Sequence, residues 1–132
     1  MTLSEHLTKI GLVSLIVLII DILWLSAFLG GYFGKMVLKI QGEEMKLNYY
    51  IAGLAYLFII ISFYYFIVMK DNGNMELDAF LLGLFIYGIF EFTSGAIFKK
   101  WEILPLFVDT IWGGVLYLVT YFIYKQVFPV KN

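Results

Sequence analysis

The run Ile10-Gly11-Leu12-Val13-Ser14-Leu15-Ile16-Val17-Leu18-Ile19-Ile20-Asp21-Ile22-Leu23-Trp24-Leu25 decides the architecture of this chain. It is apolar for longer than a buried helix of a soluble domain requires, and it continues to Gly31. A helix rises 1.5 Å per residue, so about 20 such residues cross a hydrocarbon core about 30 Å thick. Its single charge is costly at that depth. On insertion scales a central Asp costs roughly 2.5–3.5 kcal/mol, while each Leu, Ile, Val or Phe returns only about 0.3–0.6 kcal/mol.

Three further stretches have the same character: Tyr49 to Met69, Ala79 to Phe98 and Leu104 to Tyr124. Backbone polar groups in lipid must be satisfied within a segment, so each span is expected to be helical despite its β-branched residues. Unbroken apolar runs also lack the alternation of membrane barrel strands. The expected fold is all-α, an integral membrane four-helix bundle with antiparallel up-down topology. The whole of residues 1–132 reads as one transmembrane domain, since no Pro/Ser-rich linker or low-complexity tract divides it. The first span is too long for a signal-peptide core and is read as retained.

Between the spans, Tyr32 to Leu47 carries Lys35, Lys39, Glu43, Glu44 and Lys46, with a short interfacial helix expected around Met36 to Ile40. Lys70 to Asp78 contains an Asp71-Asn72-Gly73-Asn74 turn signal, and Glu76 and Asp78 suit the positive N-terminus of the third helix. Lys99, Lys100 and Trp101 form an interface anchor, Pro105 fits the first turn of the last helix, and Pro129 follows its end. Lysines divide almost evenly between the two sides, so the positive-inside rule leaves the orientation open.

Composition agrees with a membrane protein. The chain is 62% hydrophobic, 20% aromatic and 14% charged, with a net charge of -1. Without any Arg, or a concentrated Lys stripe, there is no nucleic-acid surface to displace counterions. Without Cys there is no disulfide, thiolate metal site or cysteine nucleophile. The only histidine, His6, lies before the first span and is expected to be a solvated surface residue rather than a ligand. No span contains a Lys for a Schiff base. We read no catalytic set, no metal-ligand set and no cofactor.

What remains is a set of acids without basic partners: Asp21, Glu91 and Asp109, one in each of three spans. Ionisable residues at membrane depth face a bundle interior or a polar cavity and mark proton, ion or substrate sites. Asp21 is followed at three-residue spacing by Trp24, and Asp109 by Trp112, which places each pair on one helical face. In the third span Tyr87, Glu91 and Ser94 share a face, with Thr93 adjacent. Counting along the helices puts Glu91 and Asp109 roughly 10 and 8 Å from the side bearing the first and third connections, and Asp21 about 15 Å deep. The three acids could therefore form one off-centre pocket, where a shared proton or a bound cation relieves their repulsion. Asp21, Trp24, Tyr87, Glu91, Thr93, Ser94, Asp109 and Trp112 are the candidate proton, cation or substrate-binding residues.

Several motifs also resemble those of a family of small bacterial membrane proteins known as a domain of unknown function, family 2177. They are Asp21-Ile22-Leu23-Trp24-Leu25, Tyr32-Phe33, Gly83-Leu84-Phe85-Ile86-Tyr87-Gly88, Trp101 and Val108-Asp109-Thr110-Ile111-Trp112-Gly113. The resemblance spans about Asp21 to Leu118. Where that family usually has Tyr-Asp-x-Thr-Asn, this chain reads Phe90-Glu91-Phe92-Thr93-Ser94: the acid and the Thr are kept, and the amide is lost. The resemblance implies a four-helix membrane fold and supports the same polar positions, without implying an activity.

The leading expectation is a small proton- or cation-linked transporter or channel-like protein in the lipid bilayer, with a proton or small cation as partner. Four helices enclose little space, so a homodimer or larger membrane complex would supply a pathway at its interface. The alternative is a structural or assembly subunit of a membrane complex. The acids would then act as interhelical fasteners.

Overall fold

The structure is a computed structural model that describes residues 1–131. Its elements are α1 (Leu3–Trp24), a π-helical turn (Leu25–Leu29), α2 (Gly30–Gln41), α3 (Tyr49–Phe63), a second π-helical turn (Tyr64–Val68), α4 (Glu76–Ile97) and α5 (Ile103–Val127). No strand occurs among the described residues. Four helices are long and apolar enough to cross a membrane: Leu3–Phe28, Tyr49–Val68, Glu76–Ile97 and Ile103–Val127. Successive spans run in opposite directions, as expected of an up-down bundle. One end of the bundle carries both termini and the turn around Asp71 to Met75. The other, here the loop end, carries α2, residues 42–48 and the short link from Phe98 to Glu102.

The helix boundaries follow local chemistry. α1 begins seven residues before the expected Ile10, because Thr2 and Glu5 form a reciprocal capping box at its start. The expected interfacial helix around Met36 to Ile40 is longer, Gly30–Gln41, and continues directly from the first span through the π turn. In that turn the Gly30 N–H bonds the Leu25 carbonyl. A Cβ at Gly30 would fall on that same oxygen, so this turn in its present geometry takes glycine there. Gly73 has φ +88° in the predicted turn, where the Asp71 and Asn72 side chains accept from the Gly73 and Asn74 N–H groups.

α4 and α5 form the tightest seam. A Cβ at Gly83 would fall on the Gly113 carbonyl oxygen, and one at Gly113 would lie 2.5 Å from the Gly83 carbonyl oxygen and against the Tyr87 ring. Gly114 and Gly95 admit Phe80 and Leu106 in the same way, at 2.7 and 2.8 Å from the would-be Cβ atoms. These glycines serve close approach without unwinding, the usual use of small residues between membrane helices.

Toward the terminal end the four helices enclose a core of Val13, Val17, Phe63, Ile67, Ala79, Leu116, Tyr117, Tyr121 and Tyr124. His6 belongs to this end and is not solvated as expected: it is half-buried, and its ring nitrogen pairs with the Tyr64 hydroxyl. The extended α1 brings it there. Lys9 and Lys125 likewise fall inside the longer helices, near their terminal ends, where their ammonium groups lie over Phe128 and over Tyr121 and Phe122.

Candidate functional site

Toward the loop end, the helices turn carboxylates inward. Asp21, Glu91 and Asp109 are all buried, Glu91 completely. Each comes from a different helix, α1, α4 and α5, and none has a Lys or His in an ion pair with it among the described residues.

Asp21 is the best satisfied. The Trp112 indole N–H donates to its Oδ1 at 2.9 Å, and the Tyr56 hydroxyl donates to its Oδ2. The two Asp-x-x-Trp pairs therefore cross over: Trp112 of α5 serves the acid of α1. Trp24 does not serve Asp109. Its ring stacks on Trp112, with centroids 4.3 Å apart and planes within 5°, and its own N–H is buried without an acceptor. The stack braces α1 against α5 behind Asp21, immediately before the π turn that redirects the chain into α2.

Glu91 and Asp109 approach one another across the α4–α5 seam. Glu91 Oε1 accepts from the Trp101 indole N–H at 3.1 Å, whereas Oε2 has no N–H or O–H partner and is sealed from solvent. Asp109 is buried and receives no hydrogen bond from any N–H or O–H group of the described residues.

The remaining candidates divide. Tyr87 is half-buried and lies against Gly113, one turn before Glu91, and Ser94 is buried on the same face of α4. Thr93 is exposed on the outer face of α4, away from the acids.

Two further residues belong to the constellation: Tyr56 of α3, which donates to Asp21, and Trp101, expected as an interface anchor. Trp101 hangs from the Phe98 to Glu102 link, packed edge-on by Phe33 and Phe90. α2 fixes that link from above. Tyr32 donates to Glu102, Lys39 lies 3.5 Å from Glu102, the Lys100 ammonium donates to the Lys39 carbonyl at 3.2 Å, and Met36 is buried against the Glu102 N–H. The available signal was stoichiometric. Three buried carboxylates need more donors than two indoles supply, and mid-span Tyr56 and loop Trp101 carry unassigned ones.

Beside the acids lies a cavity of about 600 Å³, lined by Asp21 and Asp109, the hydroxyl-bearing Tyr56, Tyr87 and Ser62, and apolar groups that include Phe33, Phe58 and Phe90. It exists because α3 stands away from α4 at this level, so Ala55 and Phe58 on one side and Phe90 on the other are exposed on the outside of the bundle. Its volume is that of a small-molecule site, mostly apolar with a few convergent polar groups. Among the described residues, no group of three or more His, Cys, Asp or Glu side chains has the arrangement of a metal site.

No curated protein and no solved structure matches the chain. A family model does, over residues 6–124, extending beyond the expected Asp21 to Leu118 at both ends and taking in all four spans. With acids, indoles and glycine seam all inside that match, the chain belongs to the family described as Predicted membrane protein (DUF2177).

Proposed function

We propose that this multi-pass membrane protein is a proton- or cation-linked transporter or channel-like protein, working through Asp21, Glu91 and Asp109. The observation that carries this reading is the Glu91–Asp109 pair, buried with one carboxylate oxygen unpartnered and set beside a cavity that Asp109 itself lines. A group used only to fasten helices gains about 0.6 kcal/mol from an average intramembrane hydrogen bond, far less than charge burial costs. A pair that takes up and releases one proton, or exchanges it for a cation, accounts for what fastening leaves unexplained.

The test is reconstitution into liposomes with an entrapped pH-sensitive dye and an imposed pH gradient. Wild-type protein should dissipate the gradient faster than empty liposomes. Glu91→Gln, which keeps an acceptor for Trp101 and offers an N–H to Asp109, should reduce that rate at least about tenfold, a barrier change of roughly 1.4 kcal/mol, while eluting as the same monodisperse species in detergent. Equal rates for wild type and variant would remove the pair from any transport role.

One observation favours a second reading, a structural or assembly subunit. The start of α3 stands off from the bundle, with Tyr49 and Tyr50 81% and 89% exposed, a face that a partner helix would cover. On this reading the isolated protein is unstable in detergent until its partner is added.

A further inference from the structure

The cavity's surroundings specify its ligand more closely than a proton or an inorganic cation. Its opening lies between α3 and α4 at mid-span, rimmed by Phe58, 76% exposed, and Phe90, 51% exposed. A rim of exposed phenyl groups at that depth faces hydrocarbon, so the entrance is lateral and a hydrated ion would have to shed its water at an apolar mouth. At the inner end the lining carries two carboxylates and no Lys, Arg or His. Asp21 already receives hydrogen bonds on both oxygens, so the lining carboxylate left without a donor is Asp109. Between mouth and acid stand aromatic faces, Phe33, Tyr56, Phe58, Tyr87 and Phe90, which attract a cation as well as an alkyl chain.

We propose that this cavity binds a hydrophobic amine in its monocationic form, drawn from the bilayer, with its ammonium on Asp109 and its hydrocarbon body against Phe58, Phe90 and Phe33. The inference deepens the carboxylate reading above by naming the ligand class of the same site. A primary ammonium brings three N–H donors and one positive charge to Asp109, a carboxylate with neither a hydrogen-bond donor nor a basic partner. The three-quarters-exposed Phe58 is then the outer wall of the binding site. Simple lipid contact would not require a carboxylate at its inner end.

The test uses dodecylamine and its neutral isostere dodecanol, titrated into purified protein in detergent. Tryptophan fluorescence reports, because the Trp24–Trp112 stack adjoins Asp21 at the cavity wall. Dodecylamine should bind at least about tenfold more tightly than dodecanol, a difference of about 1.4 kcal/mol. Asp109→Asn should erase that preference. Should Asp109→Asn fail to fold, Phe58→Trp, placed on the lipid side of the cavity and away from the acids, should fill the pocket and weaken dodecylamine at least about tenfold. Equal affinity for amine and alcohol, an unaltered preference in Asp109→Asn, or dodecylamine binding untouched by Phe58→Trp would each overturn the proposal. Proton flux in liposomes without amine is measured alongside. Flux that depends on Glu91 with no amine preference leaves the carboxylate reading standing and rejects this one, whereas amine preference without flux does the reverse.

Discussion

The two ends of this bundle solve the same problem, polar groups inside a membrane, in opposite ways. At the terminal end the interior polar groups are mainly neutral hydroxyls, and those of three tyrosines are paired: Tyr117 to the Ile59 carbonyl at 2.9 Å and to Ser62 at 2.7 Å, Tyr121 to Asp71 at 2.8 Å, and Tyr64 to His6. Two of the charged groups there, Glu76 and Lys125, face one another. Toward the loop end the interior holds three acids without a base, a carboxylate oxygen and an indole N–H without partners, and a cavity instead of a core. Both arrangements are built on the same four helices. A sequence that can seal one end with paired hydroxyls has no packing reason to leave the other charged and hollow, and such concentrated exceptions to polar satisfaction call for a functional explanation.

The seam between α4 and α5 runs through both halves, so breaking it should have the largest effect. Gly113→Leu would drive a side chain into the Tyr87 ring and the Gly83 carbonyl, and neither can move without parting the helices. We expect a loss of more than about 3 kcal/mol, beyond ordinary overpacking, read as failure to recover a monodisperse species or as a collapse of its unfolding midpoint. Gly53→Ala is the matching control. A Cβ at Gly53 meets nothing within 4 Å, and its unfolding midpoint should stay at the wild-type value.

How far this contrast was legible in the sequence depends on which physical signal carried it. Insertion energy is a sum over residues, so the four spans and the three acids could be read directly, and the acids could be expected to face one another because lipid would not tolerate them. Facing is harder to read elsewhere. A lipid-facing Leu and a core-facing Leu are equally apolar, so periodicity cannot distinguish the outer face of α4 from the inner one, and Thr93 was placed with the acids when it lies outside. The π turn after Trp24 is likewise a local insertion that composition does not announce. Tyr56 and Trp101 were visible as aromatics and hidden as donors, since their partners are 35 and 10 residues away. The capping box at Thr2 and Glu5 was readable, and would have moved the start of α1 to its observed place.

Donor removal should sharpen the comparison, because the two ends ought to respond unequally. Trp101→Phe keeps the ring between Phe33 and Phe90 but takes the N–H from Glu91 Oε1, leaving both oxygens of a fully buried carboxyl without an N–H or O–H donor. The expected cost is roughly 1–3 kcal/mol, that of an orphaned buried polar group. Tyr117→Phe at the sealed end also removes a buried hydroxyl, yet Ser62 still bonds the Ile59 carbonyl at 2.8 Å and nothing is orphaned. There the loss should be about 0.6 kcal/mol, the average for an intramembrane hydrogen bond. Chemical unfolding in detergent measures both. Equal losses would mean that the acids are as well accommodated as the hydroxyls, and the contrast between the ends would fail.

The smallest effect belongs to Thr93, and it tests the outer boundary of the open half. Thr93→Val exchanges a hydroxyl for a methyl group on an exposed face of α4, two residues from Glu91 in sequence but turned away from it. If that face meets lipid, stability should change by no more than about 0.5 kcal/mol, and proton flux in liposomes should match the wild type. A marked loss of flux with the monomer's unfolding unchanged would have a different physical meaning. The hydroxyl would then be making a contact that one copy of the chain does not contain, and the outer face of α4 would belong to an interface. In that event the pathway would need a second subunit, and the half-open cavity of the single bundle would be one side of it.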